Sequence, residues 1–314
     1  MSIVCFGELM IDMVAEERGS LETVQSFTRF AGGAAANVAA QIQRLGGKPV
    51  FMGKLGRDGF GKYLLRYLEQ NGVDTHAVVF DDERRTTVAY VTLDEDGIPS
   101  YLFYRKGGAC VNLRPEEMDQ QAIVQADIFY FSTLTLTEEP LRSTALYAIK
   151  AARRTGALVA LDLNYRASAW PSEKEARNEI DRVLEYVDIL KVNREELTFI
   201  TDGCADNEAC VQFVQASKTL KMLVLTDGAA GSVIFLKDQL PLHIPACHDR
   251  PVVDTTGAGD SYMGAFLYAL EQNGLELDRD SVCHAGMLAA KASAYTVSGK
   301  GAIAAMPDAQ ALEG

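Results

Sequence analysis

The sequence is most informative at Asp254-Thr255-Thr256-Gly257-Ala258-Gly259-Asp260. Gly257 and Gly259, with a small alanine between them, allow the backbone to turn tightly and to approach a ligand closely. Apolar residues follow at helical spacing, at Met263, Phe266, Leu267 and Leu270. A helix is therefore predicted to begin at the glycines. Its first N–H groups have no partner within the helix, and with the positive end of the helix dipole they can bind an anion such as phosphate.

Asp260 stands in the first turn of that predicted helix. A carboxylate beside an anion site has a chemical use, because it can take a proton next to a phosphoryl group in transfer. The same residues also suit an ordinary turn-to-helix junction in which Asp260 is a cap. Taken alone, the stretch is equally compatible with both interpretations.

This stretch resembles the signature of the ribokinase-like (PfkB) carbohydrate kinases, and the resemblance runs from Ile3 to about Pro307. Within the family, the chain most resembles the bacterial fructokinases. The resemblance implies a ribokinase-like three-layer α/β fold, with a mostly parallel central sheet flanked by helices and a small β-sheet lid. It also implies an ATP-dependent sugar kinase with Asp260 as general base. The anion hole would be made by the backbone N–H groups of Gly257, Ala258, Gly259 and Asp260.

Composition narrows the function further. The chain of 314 residues is 48% hydrophobic and 23% charged, an ordinary balance for one large α/β domain or two smaller ones. Its formal net charge of −13 argues against nucleic acid and anionic membranes as partners. The six cysteines lack CxxC spacing, which favours neither a zinc site nor disulfides and fits a reducing cytoplasm. The N-terminal residues lack the pattern of a signal peptide. No apolar run approaches the ~20 residues that a membrane span needs, so no membrane-spanning segment is expected.

The order of the predicted elements is that of an α/β fold. Strands are predicted at residues 3–6, 50–52, 128–131, 158–162, 188–192 and 222–226. Helices are predicted at residues 32–45, 58–71, 138–155 and 173–186. Strands that alternate with helices form a parallel sheet covered on both faces, and such sheets bind ligands at the carboxyl ends of their strands. Five polar residues follow apolar runs and are expected at that edge: Asp12, Arg166, Asn193, Thr226 and Asp254.

Two runs rich in β-branched and aromatic residues interrupt this alternation, at 87–93 and 100–105. Residues 94–97 between them have turn chemistry, so the runs predict a β-hairpin. We expect this hairpin and residues 14–30 to form a lid that closes over the sugar and excludes water. The predicted division is a core of residues 1–13, 32–83 and 108–314, with lid segments 14–31 and 84–107. Such lids often pair two subunits in the family, so a homodimer is expected.

Gly32-Gly33 and Asn37 are candidates for sugar binding. The glycines allow a sugar ring to lie near the backbone, and the amide of Asn37 can both donate to and accept from hydroxyls. A plain helix start with an exposed asparagine explains the same residues. The resemblance implies that Gly32, Gly33 and Asn37 contact the sugar and that Asp12 binds its hydroxyls.

Two further segments are candidates for the nucleotide and its magnesium. Thr226-Asp227-Gly228-Ala229-Ala230-Gly231 suits either a nucleotide loop or a turn into the next strand. The resemblance places Thr226 and Gly228 beside the phosphates and ribose of ATP, with Gly231 closing the same loop. Asn193 and Glu196 suit a helix capping box or oxygen ligation of Mg²⁺. The resemblance implies that they organise magnesium and phosphate mostly through water.

Four isolated residues complete the candidates. Arg105 and Arg166 could each clamp a phosphate or carboxylate with paired hydrogen bonds, or be surface arginines. Lys191, close to Asn193, is a candidate for a phosphate contact. By analogy with the family His284 would touch adenine, although a buried structural histidine is an equal interpretation.

The resemblance also implies a monovalent cation, usually K⁺, under the phosphate loop. Asp254 and the backbone of Thr256 match two of its ligands, and the others come from residues 298–305. Some relatives have a serine near the end of that loop, where this chain has Ala304-Ala305.

The preferred sugar is predicted from smaller similarities. Residues 7–12 and 103–105 resemble fructokinases, which favours transfer to the primary hydroxyl that gives fructose 6-phosphate. Residues 106–109 and 162–166 depart from fructokinases towards kinases of 2-keto-3-deoxygluconate, and Lys106 could serve a carboxylate. A sugar-binding regulator that transfers nothing is the alternative of another class. The intact Asp260 with its glycines counts against it.

Overall fold

The computed structural model describes residues 2–94, 99–201, 203–204 and 206–313. Its larger sheet has nine strands within those ranges. In spatial order they are β13 (Leu242–Ile244), β12 (Ser232–Leu236), β11 (Met222–Thr226), β10 (Ile189–Asn193), β9 (Leu158–Asp162), β8 (Ile128–Ser132), β1 (Ile3–Phe6), β4 (Pro49–Gly56) and β5 (Val78–Asp81). The strands from β11 to β5 run parallel, and β12 pairs antiparallel with β11 and β13. The predicted mostly parallel sheet is confirmed.

Helices cover both faces of this sheet. Those in the described ranges are α1 (Ala34–Arg44), α2 (Gly59–Gln70), α3 (Gln120–Val124), α4 (Leu141–Thr155), α5 (Glu173–Leu184), α6 (Arg194–Ile200), α7 (Asn207–Ala216), α8 (Ala258–Gln272), α9 (Arg279–Thr296) and α10 (Ala309–Leu312). Ile3 and Cys5 pack on the face with α1, α8 and α9, and Val4 and Phe6 on the face with α4 and α5. Because both faces are buried, the central strands are apolar without alternation. The result is the predicted three-layer fold.

A second sheet of four strands stands apart from the first. Its order is β3 (Phe27–Gly32), β2 (Met10–Ala15), β6 (Val88–Leu93) and β7 (Pro99–Tyr104). The antiparallel pair β6–β7 is the predicted hairpin, and residues 95–97 of its predicted turn lie outside the described residues. The sheet begins at Met10, where Met10 and Ile11 pair with β3, whereas the predicted boundary lay after residue 13. Both residues are buried, so in the sequence they resemble residues of the core. That this sheet acts as a lid stays a prediction.

The starts of α1 and α8 determine where a ligand can bind. α1 begins after Gly33 and α8 after Gly257, and the two helices pack against each other on one face of the sheet. Both helices begin at the carboxyl edge of the parallel strands, where β9 and β10 end. Within the described segments, no helix combines the length and apolar character that a membrane span would require.

Candidate active site

Asp260 lies in the first turn of α8, as predicted, and is partly buried at the carboxyl edge of the sheet. The side-chain amide of Asn37, in the first turn of α1, donates to Asp260 Oδ2 over 2.7 Å. Asn37 is itself buried, and its Oδ1 has no partner among the described residues. The two helix starts thus join a carboxylate to an amide that still has an acceptor to offer, a combination suited to a sugar hydroxyl.

The backbone amides beside Asp260 remain available for an anion. In the described part of the chain, the N–H groups of Gly257, Gly259 and Asp260 donate to no protein acceptor. Ala258 differs from the prediction, because its N–H donates to the carbonyl of Thr255 over 3.3 Å in the turn. Three free amides therefore stand at the positive end of a 15-residue helix, a geometry that can bind an anion, and we call this group the anion hole.

Gly257 is required by two features of this turn. Its φ is +78°, a left-handed conformation that only glycine adopts at little cost. A Cβ at this position would also lie 2.5 Å from Cβ of Ala302, in the loop after α9. The anion hole therefore depends on close packing between the glycine turn and the loop around Ala302.

Asp12, on β2, lies against the backbone of Gly32 on the neighbouring strand. A Cβ at Gly32 would lie 1.8 Å from Asp12 Oδ2. Burial, and then the charge of Asp260, raise the pKa of Asp12 to about 7. Burial and then the charge of Asp162 raise the pKa of Asp260 to about 6, although Asn37, Lys191 and Arg166 oppose this rise. Two carboxylates thus face one polar space, and neither ionises as readily as a carboxylate in water.

A cleft of about 220 Å³ opens in front of Asp260. Predicted residues in its wall are Arg166, Lys191, Asn193, Glu196, Thr226, Thr256, Gly257, Gly259 and Asp260. The wall also contains Tyr101 and Asp162, neither of which was predicted. Asp162 ends a buried strand, so the strand-end rule could have identified it. Tyr101 could have been identified only as an aromatic residue of the predicted hairpin, four positions before Arg105.

An apolar recess of about 310 Å³ adjoins this cleft, with Thr226, Thr255 and Gly259 in the walls of both. The predicted loop residues Gly228 and Gly231 line it. The recess is also lined by apolar residues: Val252, Ala258, Tyr262, Ala290, Ala294 and Val297. An apolar recess that continues into an anion hole suits a ligand with a flat apolar end and a negatively charged end, such as a nucleotide.

His284 does not line this recess. It is exposed on α9, and the residues of that helix in the wall are Ala290, Ser293 and Ala294, with Val297 just after its end. Ala290 is six positions further along the helix than His284, more than one and a half turns. The structure therefore does not bring His284 to the recess, and the predicted adenine contact stays a prediction.

Arg105 is also held away from the cleft. Its side chain is 3% exposed, and Nη2 donates to Glu8 Oε1 over 2.6 Å and to the carbonyl of Leu134 over 2.6 Å. Nη1 donates to the hydroxyl of Thr137. Glu8 follows β1 and is fully buried, so this ion pair joins the end of β7 to the core. A substrate contact for Arg105 stays a prediction; Arg166 is the predicted arginine that reaches the cleft.

Asn193 and Glu196 form the capping box that sequence offered as one interpretation. Asn193 Oδ1 accepts from the N–H of Glu196 over 2.8 Å, and Glu196 Oε2 accepts from the N–H of Asn193 over 2.9 Å. Glu196 Oε1 accepts from the N–H of Tyr165. Each carboxylate oxygen of Glu196 thus accepts one amide and keeps a second lone pair, with which it could accept from a water molecule bound to magnesium. In the described ranges, no group of three or more His, Cys, Asp or Glu could hold a metal.

Asp254 ties the glycine turn to the loop that follows α9. Its Oδ1 accepts from the N–H of Thr256 and its Oδ2 from the N–H of Gly301, both over 2.9 Å. The segments predicted to hold a monovalent cation are therefore adjacent. A carboxylate held by two amides keeps lone pairs for a cation, so the residues present fit such an ion.

The three-layer fold, the carboxylate at a glycine-opened helix and the polar cleft beside an apolar recess together define a nucleotide-dependent phosphotransferase. The sequence matches the pfkB family of carbohydrate kinases over residues 1–309. The chain belongs to this family, and the resemblance and fold predicted from the sequence are confirmed.

Individual relatives cover nearly the whole chain. Probable fructokinase-5 of Arabidopsis thaliana is 40% identical over 315 residues, which covers 99% of this chain and 96% of the relative. The fructokinase of Xylella fastidiosa with bound ATP has a TM-score of 0.90 at 30% identity, covering 99% of this chain and 97% of that one. A fructokinase of Vibrio cholerae O395 with fructose, ADP and calcium has a TM-score of 0.86 at 27% identity, with the same coverage. A double mutant of the Vibrio protein is similar to the same degree and contains fructose, ADP and potassium.

Proposed function

We propose that this pfkB family kinase transfers the γ-phosphoryl group of ATP to the primary hydroxyl of fructose, giving fructose 6-phosphate. One observation carries the proposal. Asp260 stands in the first turn of α8 with three free amides and lines a polar cleft that adjoins an apolar recess. A phosphate donor and a hydroxyl acceptor can therefore meet at a base and an anion hole.

The nucleotide would occupy the recess with its base and the anion hole with its terminal phosphate. Thr226, which lines both the recess and the cleft, and Gly228, which lines the recess, would lie near the ribose and phosphates. The sugar would occupy the cleft side, against the backbone of Gly32 and Gly33, with Asp12 and Asn37 on its hydroxyls. This arrangement would bring a ligand hydroxyl within reach of Asp260, whose Oδ2 accepts from the amide of Asn37.

Asp260, ionised at neutral pH, would take the proton of the attacking hydroxyl. The amides of Gly257, Gly259 and Asp260 would hold the negative charge on the phosphoryl oxygens in the transition state. Alignment and charge stabilisation supply most of the acceleration in phosphoryl transfer. The base itself contributes about 10²–10⁴-fold.

Two ions are expected to assist. Mg²⁺ bound to the phosphates would neutralise part of their charge, with Asn193 and Glu196 positioning its waters. K⁺ at Asp254 and Thr256, beside the loop 298–305, would hold the glycine turn in place. The calcium and potassium in the Vibrio structures support ion sites of this kind.

Fructose is favoured over a keto-deoxy sugar acid by the relatives, which are fructokinases. The structure adds a physical reason, since Arg105 is paired with Glu8 and is not available to a substrate carboxylate. The sugar acid is retained as the second candidate because Arg166 does line the cleft. Arg166 Nη1 donates only to the carbonyl of Tyr165 among the described residues, which leaves donors for a carboxylate.

The second sheet would act as a lid and as a dimer contact. Leu102 and Tyr104 on β7 are 44% and 65% exposed and form an apolar surface. They alternate along the strand with Tyr101, which lines the cleft, and so lie on the opposite face of the sheet. A second copy of the same sheet would cover this surface. The free cysteines fit a reducing cytoplasm.

A coupled assay of ADP release tests the proposal. Fructose, 2-keto-3-deoxygluconate, ribose and no sugar are compared at equal ATP and Mg²⁺. We expect the highest kcat/KM with fructose and release near background without sugar. Preference for the sugar acid would overturn the fructose assignment. Absence of release with every sugar, together with measurable sugar binding, would favour a non-catalytic regulator.

A further inference from the structure

Lys191 occupies an unusual position for a lysine. It lies in the middle of β10, is 5% exposed and has the apolar Leu190 and Val192 on either side. A charged side chain in a buried strand is costly unless it is paired, so its presence needs a reason. Its Nζ would lie 3.2 Å from a Cβ at Gly259, in the first turn of α8. The ammonium group is therefore next to the anion hole.

Asp162 is what holds that ammonium there. β9 and β10 are parallel neighbours, and Asp162 and Lys191 are register partners. Asp162 Oδ2 accepts from Lys191 Nζ over 2.8 Å, and Asp162 is 2% exposed. Of the three N–H donors of the ammonium, this is the one used among the described residues, so two remain for a ligand in the cleft.

We propose that Asp162 is a positioning residue for phosphoryl transfer: its carboxylate fixes the ammonium of Lys191 beside the anion hole, where Lys191 binds the transferring phosphoryl group. The proposal rests on the proposed kinase function and assigns a task to a residue outside the sugar and nucleotide contacts. Asp162 acts only through Lys191.

The alternative is that Asp162 merely neutralises a buried lysine for stability. The local charge argues against this alternative, because other carboxylates near Lys191 could already neutralise its ammonium group without Asp162. The titratable and charged groups that line this cleft are Tyr101 on β7, Asp162 on β9, Arg166 after β9, Lys191 on β10, Glu196 on α6 and Asp260 on α8. Asp12 on β2 and Asp254 before α8 add the negative charge of two neighbouring carboxylates. Asn37 on α1 adds a neutral amide. A lysine held at the site of an incoming polyanion has a use that an apolar residue would lack.

The first test is a double-mutant cycle of Asp162→Asn and Lys191→Met, measured by sugar-dependent ADP release. Lys191→Met should lower kcat by about 10²–10³-fold, as does loss of one donor to a transition-state oxyanion. Asp162→Asn should lower kcat by at least about tenfold with the sugar KM within threefold. In the Lys191→Met background, Asp162→Asn should lower kcat no further, because nothing is left to position. Losses that multiply in the double variant would overturn the proposal.

The second test is the pH profile, which reports whether both charges lie beside Asp260. Removing the negative charge of Asp162 makes ionisation of Asp260 easier, so the acid limb of kcat/KM should move to lower pH by about one unit. Removing the positive charge of Lys191 should move the limb to higher pH. Coincident limbs in both variants would contradict the placement of the pair beside Asp260.

Ser132→Ala is the matched control. Ser132 is the register partner of Asp162 on β8 and is fully buried, but it carries no charge. We expect kcat within threefold and an unmoved acid limb. If Asp162→Asn does not fold, Lys191→Met alone still tests the direction of the pH shift. Failure of the wild-type chain to release ADP with any sugar would instead refute the proposed function, which separates the two failures.

Discussion

Replacing Arg105 by methionine tests whether this residue holds the fold together or contacts substrate. Arg105 and Glu8 form a buried ion pair, with side chains 3% and 0% exposed and 2.6 Å between Nη2 and Oε1. Methionine fills much of the same volume but removes the charge and the donors to Leu134 and Thr137. Glu8 would then be a fully buried carboxylate without its cation.

The expected cost is large. Removing one partner of a buried ion pair costs about 3–5 kcal/mol, because the remaining charge stays uncompensated. Native domains are stable by only about 5–15 kcal/mol, so this is a substantial fraction of the total. Replacing both partners with apolar residues is often neutral, and Glu8→Leu/Arg105→Met should therefore recover most of the loss.

Urea unfolding of the wild type, Arg105→Met and the double variant measures these differences. In a parallel assay the folded fraction of Arg105→Met should keep its sugar KM within threefold. A variant that unfolds within 1 kcal/mol of the wild type but has a KM raised by tenfold or more would refute the structural role. It would support the substrate contact predicted from the sequence.

Three further predictions follow from the site. Gly257→Ala should lower kcat by at least about tenfold and destabilise the chain by about 1–2 kcal/mol, since alanine at a φ of +78° is strained and meets Ala302; wild-type kcat and urea midpoint would contradict this. The acid limb of kcat/KM should lie near pH 6, because Asp260 must be ionised to accept a proton and burial raises its pKa to about 6; a profile flat down to pH 4.5 would disagree. Activity should fall when K⁺ is replaced by a bulky organic cation at equal ionic strength, and equal rates in both salts would remove the ion from Asp254.

Local patterns were enough to predict the framework. The parallel sheet follows from apolar runs buried on both faces, and the hairpin from two β-rich runs around turn residues. The glycine-opened start of α8 follows from Gly257 and the apolar periodicity after it. These features depend on residues that are close together in the sequence, so local patterns are sufficient to predict them.

Contacts between distant segments could not be predicted in the same way. Asn37 and Asp260 are 223 positions apart, and only the packing of α1 on α8 brings the amide to the carboxylate. The pairing of Arg105 with Glu8 spans 97 positions and buries an arginine for which the sequence offered a ligand clamp or a surface position. The early start of the second sheet at Met10 was hidden because buried apolar residues look alike in either sheet.

The proposed phosphoryl transfer depends most on Asp260 as the general base. Asp260→Asn keeps the side-chain shape and an oxygen that can accept from Asn37, but removes the base. The direct measurement is kcat of this variant with fructose, alongside calorimetric affinities for fructose and ATP. We predict a kcat lowered by about 10²–10⁴-fold with both affinities within a few-fold of the wild type. Turnover at the wild-type rate would contradict the assignment of Asp260 as the general base.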